Sequence, residues 1–101
     1  MSKLALQGSI TAIVTPFKND GTIDKTAFDR LIEFQIENGT NGIVVCGTTG
    51  ETPTLTETED ALMFEHAVKR INKRIPVIAG TGSNNTEECI KYSKTAEQSG
   101  V

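Results

Sequence analysis

Three short apolar runs, each followed by an amphipathic stretch, set the pattern of this chain. The runs occupy residues 10–14, 43–45 and 76–79, and their apolar character is nearly continuous rather than alternating. Strands covered on both faces, as in parallel sheets, have this pattern. The runs begin 33 residues apart, which is the length of one β/α unit. The pattern therefore predicts parallel strands joined by right-handed helical crossovers.

Two of the predicted helices lie between these strands. Asp24 is placed to cap the first helix, whose apolar residues recur at helical spacing from Phe28 to Ile36 before Gly39 ends it. Residues 56–59 (TETE) form a capping-box pattern at the start of the second helix. We expect the buried stripe of the second helix to contain the following residues: Ala61, Phe64, Val68 and Ile71.

The third predicted helix follows residues 83–85 (SNN) and ends at Gly100. We expect Ile90, Ser93 and Ala96 to line its inner face, with Cys89 beside them, and Val101 to begin a fourth strand. Two α/β architectures fit this order of elements, a (β/α)8 TIM barrel and an open doubly wound sheet, and both normally need more than three strands. We interpret residues 1–101 as the front part of a single larger domain.

Composition and charge exclude several classes of protein. The 101 residues are 37% hydrophobic and 23% charged, which argues against disorder and against a disulfide scaffold. The net charge is −3 and the basic residues are scattered, so nucleic acid is not an expected partner. No apolar run has the length of a membrane helix. Since we also find no export signal in residues 1–8, we expect a cytoplasmic protein with reduced cysteines.

The loop at residues 47–52 (GTTGET) carries the clearest candidate chemistry. Its two glycines let the backbone come close to a ligand. The hydroxyls and amides of Thr48 and Thr49 between them can hold a small anion such as a carboxylate. A hydroxyl there can also pass on a proton. The alternative is a turn in which the threonines bond their own backbone.

Other candidate groups favour structural interpretations. Residues 80–85 (GTGSNN) lack the third glycine of a dinucleotide fingerprint, so we prefer a tight turn with a helix cap. We interpret Cys46 as a buried thiol and His66 as a helix-surface residue, and we expect the Glu51 carboxylate to brace its loop through amides or a hydroxyl. No metal-ligand spacing occurs, and we expect no cofactor.

Three blocks of sequence together resemble the dihydrodipicolinate synthase family. They are residues 8–17 (GSITAIVTPF), 47–51 (GTTGE) and 75–82 (IPVIAGTG). The resemblance implies a (β/α)8 barrel that assembles as a homotetramer. It also implies the condensation of pyruvate with aspartate semialdehyde in lysine and diaminopimelate biosynthesis. In that reaction a lysine of the enzyme forms a Schiff base with pyruvate.

The same resemblance assigns roles to individual residues. Thr48 matches the threonine of the family's proton relay, a catalytic residue, and Thr49 matches the substrate-binding threonine that holds the pyruvate carboxylate. The family's lysine, catalytic tyrosines and carboxylate-binding arginine lie beyond Val101, so we expect this chain alone to be inactive. The alternatives are another pyruvate-dependent aldolase, such as N-acetylneuraminate lyase or a keto-deoxy sugar acid aldolase, and a non-catalytic carboxylate-binding relative.

Lysine feedback is a further property that the resemblance raises. Gly82, Asn84 and Glu88 match the family's allosteric positions. Glu57 and Asp60 stand where lysine-sensitive members commonly have histidines, so the resemblance implies an altered or absent lysine site.

Overall fold

Parallel strands alternate with helices throughout the chain. A computed structural model describes residues 5–101. The elements are β1 (Ile10–Ala12), α1 (Lys25–Glu37), β2 (Gly42–Val45), α2 (Glu57–Ile71), β3 (Val77–Ala79) and α3 (Thr86–Ser99), with a short 3-10 helix at Thr52–Thr54 before α2. The strands are parallel and lie in the order β1-β2-β3. The predicted α/β arrangement is therefore confirmed.

The two faces of the sheet have different surroundings. On one face Ile43 and Val45 are fully buried against the helices. On the other face Ala12, Val44 and Ile78 are aligned across the three strands, and Val14 beyond them is 47% exposed. Within residues 5–101 the three helices pack on one side of the sheet, so the second face, whose apolar residues predict that it is covered as well, is only partly buried.

Local signals placed the helix starts correctly. The Asp24 side chain accepts a hydrogen bond from the amide of Ala27 at 3.0 Å. Thr56 and Glu59 form the complete capping box, in which each side chain bonds the backbone of the other residue. Both predicted caps are confirmed. They could be predicted from the sequence because a cap depends on residues within one helical turn.

The core lies between the sheet and the three helices, with α2 packed between α1 and α3. Phe28 and Ile32 of α1 and Phe64 of α2 are completely buried. The predicted stripe of α2 needs a correction, because Met63 and Ala67 are fully buried there while Ala61 and Val68 are only partly buried.

The predicted inner face of α3 is only partly right. Ala96 is buried, but Ile90 is 51% exposed and Ser93 is exposed as well. The half-buried residues that accompany Ala96 are the following: Cys89, Tyr92, Thr95 and Ser99. The difference arises because packing against α2, rather than the spacing of apolar residues in α3, decides which face is covered.

Polar contacts join α1 to α2. His66 Nε2 lies 2.6 Å from Asp29 Oδ1, so this histidine is held between the helices and is not a free surface residue. Arg74 and Arg70 both bind the carboxylate of Glu33. The Arg74 guanidinium, with Arg70, lowers the pKa of Glu33 to about 2.

The ends of the chain bear on three predictions. Val101, predicted to begin a fourth strand, lies outside the sheet. Residues 1–4 lie outside the residues that the structure describes. They belong to the predicted domain and to the segment in which we find no export signal, so both predictions are untested for these four residues. Within residues 5–101, no helix has both the length and the apolar character needed to cross a membrane.

Candidate functional site

The loops that follow the three strands meet at one edge of the sheet. The Gly80 amide, just after β3, donates to the Val45 carbonyl at 2.8 Å. The Thr15 hydroxyl, beyond β1, donates to the Gly50 carbonyl at 2.7 Å. In parallel α/β folds ligands bind at this edge. The structure thus brings the predicted loop of residues 47–52 to the centre of the edge.

The backbone of the central loop is tightly packed. Cys46, the residue just before the loop, has a φ of +57°, in the left-handed region that residues other than glycine rarely adopt. A Cβ atom on Gly80 would come within 2.3 Å of the Cys46 carbonyl oxygen. Gly80 is therefore required for close approach of two backbones, which is a packing role and not a nucleotide-binding one.

Thr48 and Thr49 are both exposed at the tip of this loop. Among the side-chain hydrogen bonds of residues 5–101, none uses either hydroxyl. The alternative, in which Thr48 and Thr49 bond their own backbone through their side chains, is therefore wrong. Two free hydroxyls and the adjacent amides are available to a small anion, and a free hydroxyl can donate and accept protons.

Glu51 acts through its backbone rather than its side chain. Its carbonyl accepts hydrogen bonds from the Thr54 amide and the Thr54 hydroxyl, both at 2.8 Å. Within residues 5–101 its carboxylate makes no hydrogen bond, so the expected carboxylate brace is wrong.

Cys46 and Asp60 form a buried pair beside the loop. Cys46 is 1% exposed, as predicted, and burial raises the pKa of its thiol well above the ordinary value. This disfavours the thiolate that a nucleophile would need. Asp60 is 4% exposed, and burial raises the pKa of its carboxyl to about 6. Sequence reasoning missed the burial of Asp60, since an acid in the first turn of a helix is normally solvated.

A shallow groove of about 420 Å³ lies beside the same edge. It is lined by Gly82, Asn84, Glu88 and Tyr92, among others. The Asn85 side chain accepts from the Glu88 amide at 3.2 Å, which confirms the predicted helix cap. Neither Glu57 nor Asp60, the two acids at the positions where the resemblance leads us to expect histidines, is among the lining residues.

Metal ligation has no support in the described part of the chain. Within residues 5–101, no group of three or more His, Cys, Asp or Glu side chains is placed to hold a metal ion.

The family model of the dihydrodipicolinate synthetase family matches residues 5–101. The chain belongs to this family. The family resemblance of the three sequence blocks is thereby confirmed.

Curated relatives of this dihydrodipicolinate synthetase family member agree on one activity. A 4-hydroxy-tetrahydrodipicolinate synthase of Hydrogenobaculum sp. is 59% identical over 96 residues, which cover 95% of this chain and 33% of the relative. The enzyme of the same name from Bacillus subtilis is 53% identical over 91 residues, covering 90% of this chain and 31% of the relative. The chain therefore spans about a third of the length of the curated relatives it matches.

Solved structures share the fold closely. The dihydrodipicolinate synthase DapA-2 of Bacillus anthracis superposes with a TM-score of 0.95 at 47% identity, over 98% of this chain and 34% of that one. The chloride-inhibited dihydrodipicolinate synthase of Acinetobacter baumannii, solved with pyruvate, has a TM-score of 0.93 at 47% identity, covering 96% and 33%. Because these neighbours are TIM barrels, the three β/α units are part of a barrel and not of an open doubly wound sheet.

Proposed function

We propose that this chain supplies the carboxylate-binding and proton-transfer loop of a 4-hydroxy-tetrahydrodipicolinate synthase. The complete enzyme would condense pyruvate with aspartate semialdehyde. The observation that carries the proposal is the pair of exposed, unengaged hydroxyls of Thr48 and Thr49 on a loop whose backbone is fixed from both sides. The names of the curated relatives and the pyruvate bound to the Acinetobacter neighbour support the choice of reaction.

The proposed chemistry begins with an amine from a lysine outside residues 1–101. The amine attacks the keto carbon of pyruvate, and loss of water gives an iminium, which makes the methyl group acidic. Removal of a methyl proton gives an enamine, whose carbon then attacks the aldehyde carbon of the second substrate. Each of these steps moves protons between oxygen, nitrogen and carbon.

The two threonines take different parts in these steps. The Thr49 hydroxyl and amide donate to the pyruvate carboxylate and fix the direction from which the amine approaches. The Thr48 hydroxyl accepts a proton from one group and donates its own to another. A proton relay needs a group that can both accept and donate a proton, and a hydroxyl can do this.

A hybrid enzyme tests this division of roles. In it, residues 1–101 replace the matching segment of the Bacillus subtilis relative. Thr48→Val should lower kcat by about 100-fold, because a positioned proton carrier typically contributes that much. Thr49→Val should raise KM for pyruvate by about tenfold, because it removes a hydrogen bond to a charged group.

Thr58→Val is the matched control, since Thr58 is exposed on α2 and its hydroxyl makes no hydrogen bond among residues 5–101, and the kinetics of this variant should stay at the parent values. Near-parent turnover in Thr48→Val would reject the proton-carrier role.

Borohydride with pyruvate should trap a covalent adduct on the hybrid, whereas a carboxylate-binding relative would give none. Comparing aldehyde acceptors separates the synthase from other pyruvate-dependent aldolases.

Assembly, location and the activity of the isolated chain also belong to the proposal. We expect a cytoplasmic homotetramer for the complete enzyme, which size-exclusion chromatography of the hybrid tests. The 101-residue chain alone should show no synthase activity, because the amine lies elsewhere. It also leaves strand edges at β1 and β3 unpaired among the described residues, and such edges favour association.

A further inference from the structure

A single buried hydroxyl connects the end of the first strand to the threonine loop. Thr15 is 4% exposed, and its Oγ1 donates to the Gly50 carbonyl at 2.7 Å. The two residues are 35 positions apart in the chain, so this bond ties two separate β/α units together. A buried hydroxyl that satisfies a buried carbonyl is costly to remove, since the carbonyl is then left unpaired.

The peptide unit that receives this bond is held at both ends. Its carbonyl, from Gly50, accepts from Thr15, and its amide, from Glu51, donates to the Thr48 carbonyl at 3.0 Å. The three groups form one chain of hydrogen bonds from Thr15 through a peptide to the backbone of Thr48. Hydrogen bonds in such a chain polarise and strengthen one another.

The same peptide sits where the backbone has little freedom. A Cβ atom on Gly50 would lie 3.1 Å from Thr15 Oγ1 and 3.2 Å from the Ile13 carbonyl. Glu51 adopts a φ of +61°, a conformation that costs a side-chain-bearing residue free energy and persists only when its surroundings impose it. The Thr15 bond is one of the contacts that impose it, because it fixes the plane of the peptide that enters Glu51.

From this geometry we infer that Thr15 is a positioning residue for the reaction: its hydroxyl, through the Gly50–Glu51 peptide, sets the orientation of Thr48 and Thr49. The inference rests on the proposed function of the two threonines. Thr15 itself is buried, so it would act through the Gly50–Glu51 peptide and not on the substrate. Thr15 would hold the loop in its binding conformation before pyruvate binds, so that binding does not carry the entropy cost of ordering the loop.

The test uses the hybrid enzyme with Thr15→Val, which keeps the shape and removes the donor, and Thr15→Ser, which keeps the donor. Thr15→Val should lower kcat/KM for pyruvate by about tenfold or more, the factor that corresponds to one lost hydrogen bond. Thr15→Ser should stay within about threefold of the parent. Ile71→Val is the control, because it removes a methyl group from the buried core of α2 and lowers stability without contacting the loop.

Two kinetic outcomes overturn the inference. One is equal kcat/KM in Thr15→Val and Ile71→Val, and the other is Thr15→Ser no better than Thr15→Val. A second readout is independent of activity: hydrogen–deuterium exchange of the segment 46–55 should be about tenfold faster in Thr15→Val than in Ile71→Val, and equal exchange would also overturn the inference. An inactive parent hybrid with this exchange difference intact would reject the proposed function and leave the positioning contact standing.

Discussion

The carboxyl of Asp60 and the thiol of Cys46 are buried against each other at the start of the loop that carries Thr48 and Thr49. Burial raises the pKa of both groups, and the neighbouring Asp60 carboxyl raises the pKa of the Cys46 thiol further. Asp60 Oδ1 has no hydrogen-bond partner among the described residues. An acid in such a place is more easily accommodated as the neutral carboxyl than as the carboxylate.

The buried carboxyl gives a pH-dependent stability that can be measured. The pKa of Asp60 is raised from 3.8 to about 6, so the folded protein holds this proton over a pH range in which the unfolded chain has lost it. This contribution therefore stabilises the fold below pH 4 and is lost as the pH rises towards 6. The stability of Asp60→Asn relative to the parent should rise by about 2–3 kcal/mol between pH 4 and pH 7.

Melting temperatures of the hybrid enzyme and its variants across this pH range check the prediction. Asp20→Asn is the control, because hydrogen bonds from Thr22 lower the pKa of the exposed Asp20 and its effect has the opposite sign. A pH-independent difference between Asp60→Asn and the parent would contradict the account of Asp60.

The His66–Asp29 contact should contribute measurably to the packing of α1 on α2. The two side chains are each only 27% exposed and meet at 2.6 Å, so the hydrogen bond is partly shielded from water. A double-mutant cycle with His66→Gln and Asp29→Asn should give a coupling free energy of about 1 kcal/mol. The control pair is Lys69 and Glu65, which is 75% and 55% exposed and should couple by less than about 0.5 kcal/mol. Equal coupling in both pairs would show that burial does not matter here.

Gly80 and Gly82, two positions apart after β3, give a matched pair of substitutions. Gly80→Ala places a Cβ atom 2.3 Å from the Cys46 carbonyl oxygen, whereas a Cβ atom on Gly82 would meet nothing within 4 Å. Gly80→Ala should therefore destabilise the fold by about 2 kcal/mol or more through overpacking. Gly82→Ala should leave the melting temperature almost unchanged, and a comparable loss in both variants would refute the close contact.

Much of the fold could be predicted because its signals are local. The Thr56–Glu59 capping box and the Asp24 cap depend on neighbours within one turn, and the apolar runs depend on their own composition. The inner face of α3 could not be predicted in this way. Ile90 is more apolar than Ala96, yet Ala96 is the buried residue, because contact with α2 favours a small side chain at that point.

The candidate site, like the fold, could be predicted only in part from the sequence. The glycines and hydroxyls around Thr48 and Thr49 indicated an anion-binding loop, since those residue types carry the chemistry themselves. The Thr15–Gly50 hydrogen bond joins two residues that are distant in the chain, and Asp60 is buried against Cys46 of a different element. Neither leaves a pattern in one sequence, because both depend on how the β/α units pack.

The most direct measurement is the position of bound pyruvate in a crystal structure of the hybrid enzyme. We expect the pyruvate carboxylate within hydrogen-bond distance of the Thr49 hydroxyl and amide, with the Thr48 hydroxyl facing the keto carbon. A carboxylate bound away from both threonines would contradict the proposed roles of Thr48 and Thr49.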